Sequence, residues 1–206
     1  LKFIVDAFAI FALDDEMLDL MVGAGCIGIN VAIESGNQRV MNDIVLKPIK
    51  LDSVPPLIKK IRERGLFVIS NFIIGFPGET WHEIRKTISF AENCGADYVK
   101  FFIAVPLKGT KLWDTANAMG AIGRDTEEFR VDWRFSQITS DEWSSEDVSV
   151  LRAFEWDRIN FGTPEQRKRM SDLWGIDEGE MFDLRKKTRD AVTLSGFGAS
   201  QSSNPV

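Results

Sequence analysis

The sequence predicts an α/β fold: an open, TIM-like parallel (β/α) barrel array over residues 1–120, followed by a helical C-terminal extension. Three observations predict it. Runs rich in β-branched residues begin near residues 27, 67 and 98 with helical patterns between them, the spacing of βαβ units joined by right-handed crossovers. These runs are apolar on both faces, as buried parallel strands are. Charge is uneven: residues 1–120 hold 13 basic and 14 acidic side chains, whereas residues 121–206 hold 12 and 17. The near-neutral part can build a core, and the acidic part reads as a solvated appendage.

Taken in order, Phe3–Ala7 reads as a strand and Asp14–Gly23 as a helix with Asp14 as N-cap and Met17, Leu20 and Met21 on one side. Cys26–Ile33 is a strand, Asn37–Ile44 a short helix, and Ser53–Arg64 a longer one. Pro55 and Pro56 fall in the first turn of that helix, where a missing N–H costs little, and Gly65 suits the position after its end. Phe67–Gly75 is the next strand. Thr80-Trp81-His82-Glu83 is a capping box opening a helix whose buried stripe is Ile84, Ile88 and Ala91. Tyr98–Val105 is a further strand and Thr110–Met119 a helix. Residues 121–143 lack periodicity. Three helices follow, near Ser145–Ile159, from Thr163 with Pro164 at its first position, and from Asp177 with Glu180 completing a capping box. The sequence thus divides into a barrel part (1–120), a helical extension (121–194) and a Gly/Ser-rich tail (195–206) expected to be disordered.

Composition limits the function classes. The 206 residues carry a net charge of −6, which disfavours a polyanion such as nucleic acid as partner. No apolar run approaches the ~18–20 residues of a membrane span, and the start lacks the basic region and cleavage site of a signal peptide. The two cysteines, Cys26 and Cys94, form no CxxC pair and read as buried small apolar residues, which fits a cytoplasmic location. The chain begins at Leu1, and a fragment of a longer protein is expected.

The run Ile27-Gly28-Ile29-Asn30-Val31-Ala32-Ile33-Glu34 alternates strictly. Period two puts Ile29, Val31 and Ile33 under the helices and Gly28, Asn30, Ala32 and Glu34 on a concave face with room for a ligand. Three segments sit at expected C-terminal strand ends, where α/β folds place ligands: Ile33-Glu34-Ser35-Gly36-Asn37, Ile73-Ile74-Gly75-Phe76-Pro77-Gly78-Glu79-Thr80 and Val105-Pro106-Leu107-Lys108-Gly109-Thr110. Each couples a strand to glycine or proline and then to a helix N-terminus with unpaired N–H groups. On these residues alone, a small-molecule site and plain turn and cap chemistry stand as equal readings.

In order and spacing, Ala24-Gly25-Cys26, Ile33-Glu34-Ser35-Gly36, Val40-Met41, Lys47, Gly65, Ile73-Ile74-Gly75-Phe76-Pro77-Gly78-Glu79-Thr80 and Pro106-Leu107-Lys108-Gly109-Thr110 closely resemble the radical S-adenosylmethionine superfamily. The likeness is to the branch with cobalamin-binding domains that includes the anaerobic magnesium-protoporphyrin ester cyclases; Arg152–Phe161 also resembles extensions in that branch. The resemblance implies about the last half of a six-stranded barrel holding S-adenosylmethionine and a 4Fe–4S cluster, with cobalamin as a further candidate cofactor. There, one electron cleaves the sulfonium to a 5′-deoxyadenosyl radical that abstracts hydrogen from a small-molecule substrate, with a reducing electron donor as partner. By motif position Glu34 and Ser35 would contact the ribose or amino acid part of the cofactor, and Ile73, Gly75, Val105 and Pro106 would border the adenine. Asn71, on the strand face of Ile73 and Gly75, is added as a polar contact.

The family's CxxxCxxC cluster motif and its glycine-rich second strand are absent. Two distant cysteines cannot supply three thiolates, so the chain alone is expected to be inactive, to need the missing N-terminal part of its barrel, and to expose an edge near Leu1–Ala7. The rival from another class is a non-catalytic binding or assembly module. His82 reads as exposed, Asp14-Asp15-Glu16 as capping and helix-dipole chemistry, Lys108 and Lys111 as a solvated face, and Trp133, Trp143, Trp156 and Trp174 as core or docking aromatics.

Overall fold

The structure, a computed structural model, describes residues 1–122 and 132–192. It separates into two compact units, Leu1–Phe102 and Ile103–Val206. The expected disordered tail and residues 123–131 of the extension lie outside the described residues.

Strands β1 (Phe3–Phe8), β2 (Cys26–Glu34), β3 (Phe67–Ile74) and β4 (Tyr98–Ile103) form one four-stranded sheet in sequential order. The β1–β2 and β2–β3 pairs are parallel, and β1 is an edge strand. Helices α1 (Asp15–Gly23), α3 (Val54–Glu63) and α4 (Trp81–Asn93) make the crossovers, and α3 and α4 both pack on β3. This simple order, one strand added per βα unit, is that of an α/β partial barrel.

Local chemistry explains the boundaries. Asp14 accepts the Met17 N–H at 2.8 Å and caps α1. Two prolines occupy the first turn of α3, and Gly65, at φ +77°, ends it in the left-handed conformation that only glycine adopts freely. The capping box of α4 forms as read, with Thr80 Oγ1 accepting the Glu83 N–H at 3.3 Å and Glu83 Oε2 accepting the Thr80 N–H at 3.0 Å. Asp97 aligns the start of β3: its carboxylate accepts the Val68 N–H at 2.8 Å, and its N–H donates to the Val68 carbonyl at 2.9 Å.

The sheet has a closed face and an open one. Ile29, Val31, Val68, Phe72 and Ile74 are fully buried, and Phe72 meets Phe90 of α4 edge-on at 6.2 Å. On the other face, Phe67, Ile69, Asn71 and Ile73 of β3 are each half-buried. One face lies under helices; on the other, Asn30 of β2 is buried and the β3 residues remain half-buried.

Three expectations are corrected. The helix over 37–44 is found as one helical run, but only its first turn, α2 (Gln38–Val40), is α-helical; Met41–Val45 is a π-turn that ends where Leu46 takes a left-handed φ of +59°. The alternation of β2 holds only to Ala32. A β-bulge puts Ala32 opposite Asn71 but Glu34 opposite Phe72, so Ile33–Glu34 leave the pattern. Strands expected to reach Gly75 and Val105 end at Ile74 and Ile103: Gly75 turns at φ +79°, and the Ile103 N–H donates out of the sheet to the Trp133 carbonyl at 3.1 Å.

The second unit centres on α6 (Ser145–Phe161), flanked by α7 (Pro164–Trp174) and α8 (Glu178–Asp190), with α5 (Lys111–Ala118) preceding them. Phe161 packs edge-on against Trp156 at 5.1 Å, and Arg185 and Arg189 converge on Asp157 at 2.6 and 2.8 Å. Trp143 and Trp156 are core residues, as expected, but Trp133 is exposed.

Gly36, between β2 and α2, approaches α4 closely. A Cβ there would lie 2.4 Å from the Phe90 Cβ and 2.8 Å from the Thr87 Cα. Gly36→Ala is therefore expected to destabilise the chain by about 1–3 kcal/mol through overpacking; urea unfolding checks this, and an unchanged midpoint would refute the close packing.

Candidate functional site

The C-terminal ends of β2 and β3 form a clamp built almost wholly from residues 34–47 and 75–87. Glu34, the last residue of β2, sits at φ +78°, a left-handed conformation rare outside glycine. Its carboxylate pairs with Lys47, which follows the second left-handed residue, Leu46. Non-glycine residues held in this region cost on the order of 1–3 kcal/mol each, and such strain concentrates at ligand sites.

Beyond Glu34 the chain turns inward. Ser35 is fully buried, and its hydroxyl lies 3.1 Å from the Thr87 hydroxyl while accepting the Asn37 N–H at 3.1 Å. The Gly36 N–H donates to Thr87 Oγ1 at 3.1 Å. The Ser35 hydroxyl thus anchors this turn to α4. Asn37 caps the next turn, accepting the Arg39 and Val40 N–H groups.

Residues 75–80 are organised by two glutamates with opposite electrostatics. Glu79 is 2% exposed, and its Oε2 accepts the N–H of Gly75 at 2.8 Å and of Phe76 at 3.0 Å. Burial outweighs those two donors and pushes its carboxyl up to about 8. Glu83 is gripped side-on by Arg39, whose Nε and Nη2 donate to its two carboxylate oxygens, and Arg39 Nη2 also donates to the Gly78 carbonyl at 3.0 Å. The Arg39 guanidinium, with the Thr80 N–H and hydroxyl, holds the Glu83 carboxyl down at about 2. Outside this clamp runs a cleft of about 650 Å³ whose lining includes Asp52, His82 and Lys86. His82 is exposed there, as its position in the first turn of α4 predicts.

The open face of the sheet carries acceptors without donors. Asn30 is buried and donates from Nδ2 to Asp6 Oδ1 on β1, which leaves its Oδ1 as an acceptor with no partner. Asn71, opposite Ala32 in the β2–β3 ladder, also has an unpartnered buried Oδ1. Ile73 continues this face and Gly75 begins the loop after it. Val105 and Pro106 are buried and belong to the second unit. The clamp thus gathers Glu34, Ser35 and Gly75, with Asn71 and Ile73 on the adjoining strand. Sequence reasoning missed Arg39, Thr87 and Asp6. Their roles come from contacts more than 20 residues away in sequence, and only Arg39, two residues after an N-cap, gave a faint local cue.

An iron–sulfur cluster does not fit these residues. Cys26 and Cys94 are buried single thiols, and among the described residues no three His, Cys, Asp or Glu side chains converge as a metal site. The chemistry of a nucleoside-type cofactor is compatible with the residues present: the Glu34 carboxylate and the unpartnered Asn71 Oδ1 are both hydrogen-bond acceptors.

Residues 8–91 match the radical SAM superfamily. The chain is 32% identical over 152 residues, 70% of its length, to cytidylyl-2-hydroxyethylphosphonate methyltransferase of Streptomyces wedmorensis, of which it covers 28%. It is 29% identical over 192 residues, 82% of its length, to a ribosomal protein uS12 methylthiotransferase of Chromobacterium violaceum, of which it covers 42%. The chain thus spans less than half of either curated relative. In fold it resembles coproporphyrinogen III oxidase of Escherichia coli, a radical SAM enzyme, with a TM-score of 0.53 and 12% identity over 74% of this chain and 31% of that one. The radical SAM resemblance carried by the motifs is therefore shown, and it lies with an enzyme superfamily whose cofactors are S-adenosylmethionine and a 4Fe–4S cluster. Among the described residues no helix is long and apolar enough to cross a membrane.

The two glutamates predict a two-sided pH profile. Glu79, raised from 4.5 to about 8, contributes stability that is complete below pH 4.5 and lost as pH rises through about 8. Glu83, lowered from 4.5 to about 2, contributes stability present above pH 4.5 and lost as pH falls towards 2. Glu79→Gln keeps an acceptor for the two N–H groups and is expected to remove the decline between pH 4.5 and 8 in urea midpoints, while Glu83→Gln flattens the acid limb. Unaltered slopes in both variants would disprove the assignment.

Proposed function

We propose that this chain supplies the C-terminal part of a radical S-adenosylmethionine enzyme, and that the ends of β2 and β3 hold part of that cofactor. The observation that carries this reading is the ion pair between Glu34, itself left-handed, and Lys47, which follows the left-handed Leu46 at the C-terminal end of the sheet. Lys47 orients the Glu34 carboxylate, which accepts from ribose hydroxyls or an ammonium group of the cofactor. The turn at Gly75 lets backbone approach the base, and Glu79 keeps that turn in shape from behind by holding the Gly75 and Phe76 N–H groups. Asn71 offers its unpartnered Oδ1 to a further ligand donor.

The chemistry the cofactor supplies when bound is one-electron cleavage of its sulfonium for hydrogen abstraction from a small-molecule substrate. Both relatives of known activity carry transferase names; a methyl-type transfer, with cobalamin and an external electron donor, belongs to the same proposal for the whole protein. The second reading, a non-catalytic binding module, draws on one fact: this chain's two thiols are buried and separate.

Anaerobic reconstitution with iron and sulfide, followed by equilibrium dialysis against S-adenosylmethionine, tests the reading. The 206-residue chain is expected to retain no stoichiometric cluster. Glu34→Ala is expected to weaken cofactor binding by about 1.5–3 kcal/mol, as loss of a charged hydrogen bond does. Binding indifferent to Glu34→Ala would remove Glu34 from the site, and a cofactor-cleaving cluster in this chain would overturn the account of its ligands.

A further inference from the structure

A cavity of about 560 Å³ opens between the start of α3 and a short 3-10 turn at Ile10–Ala12, which follows β1. It shares no residue with the clamp at the ends of β2 and β3. Its floor belongs to the core, since Leu13, Ile49 and Val54 are all buried. Phe11, 53% exposed, stands at its edge, and the exposed Pro48 and Pro56 line it further. The charged side chains of its lining are two lysines, Lys50 and Lys60, with no carboxylate among them.

The walls are braced by the chain itself. Gln38 Nε2 donates to the Ile49 carbonyl at 3.0 Å, and its Oε1 accepts the Leu51 N–H at 3.0 Å. The Ser53 hydroxyl donates to the Lys50 carbonyl at 2.7 Å. Two prolines fix the first turn of α3. The loop carrying Pro48, Ile49 and Lys50 is therefore ordered before any ligand arrives, which spares a ligand the cost of ordering it.

A preformed, mainly apolar cavity of this size falls within the range of small-molecule sites, roughly 300–1,000 Å³. Charge is the second observation. The chain carries a net charge of −6, yet this cavity presents cations alone. Lys60 pairs with Asp15 at 2.9 Å, but both side chains are more than half exposed. Such a surface pair holds its members weakly, so Lys60 remains available beside Lys50.

We propose that this cavity binds a small amphiphile: an apolar chain or ring with one anionic end. The apolar body lies on Leu13, Ile49 and Val54 against the Phe11 ring, and the anionic end meets Lys50, with Lys60 as a second cation. The site is independent of the cofactor cradle and of the reaction proposed above.

Isothermal titration calorimetry of the 206-residue chain tests this with octanoate, octyl phosphate and octanol, against acetate and inorganic phosphate as controls. Octanoate or octyl phosphate is expected to bind saturably at one site, and the two short anions not at all. Octanol, which keeps the chain and lacks the charge, is expected to bind at least about fivefold more weakly. Tighter binding of octanoate assigns a carboxylate end, and tighter binding of octyl phosphate a phosphoryl end. Lys50→Glu, at an exposed position, is expected to weaken both amphiphilic anions by about fivefold or more and to leave octanol unchanged. Phe11→Asp is expected to weaken all three octyl compounds; should it not fold, Lys50→Glu and the octanol comparison decide. The proposal is overturned by the lack of saturable binding of either amphiphilic anion, or by octanol binding as tightly as they do. Anion binding undiminished in Lys50→Glu, or in a folded Phe11→Asp chain, overturns it equally.

Discussion

The close seating of α4 on the turn after β2 is the constraint on which the open end of the sheet depends. Gly36 has no side chain because Phe90 and Thr87 occupy the space one would need. Thr87 then becomes the hub, facing the Ser35 hydroxyl and taking the Gly36 N–H. At the other end of the same helix face, Glu83 closes the capping box and grips Arg39. One helix thereby fixes two sequence-distant turns. The β2–β3 ladder, with Glu34 opposite Phe72, already places the two strand ends side by side, and α4 ties together the turns that follow them.

Rigid support permits strain nearby. Glu34 and Leu46 are both left-handed, and the ion pair of Glu34 with Lys47 spans the interval between them. Their conformational cost is sustained by packing: Val40 and Met41, in the intervening turns, are fully buried. The bulge at Ile33 adds a second consequence. By shifting Glu34 out of the alternation of β2, it detaches this carboxylate from the floor made by Gly28, Asn30 and Ala32 and brings it to the rim. The floor keeps only neutral amides and Asp6, so the acidic rim and the acceptor-rich floor are separate chemical features.

Much of the fold was legible because it rests on local rules. Asp14, Thr80, Ser144, Thr163 and Asp177 cap their helices by contacts three residues away, and each can be read without knowledge of the rest. The apolar runs of β2 and β3 are strands because β-branched residues dominate them. What misled was regularity carried too far. Strict alternation pointed to Glu34 on the concave face, yet a bulge after Ala32 breaks the period, and the helical pattern read to Ile44 widens into a π-turn after Val40. Positive φ at a glutamate or a leucine has no sequence signal, since propensity argues against it.

The sequence by itself determined the α/β class, the order of the βα units, the helix starts and the motif segments 34–37 and 75–80, because all follow from periodicity, capping and turn chemistry within a few residues. Only the tertiary structure decided what those segments do to each other. It showed that the Ser35 hydroxyl is anchored inside, that Glu79 braces the Gly75 turn from a buried position, and that Arg39 ties residues 36–40 to residues 78–83. It also showed that Arg152 is buried with its Nε lacking a hydrogen-bond acceptor. Burial and long-range pairing are properties of the packed chain: the free energy of a charge depends on what surrounds it in space, and a linear pattern does not carry that information.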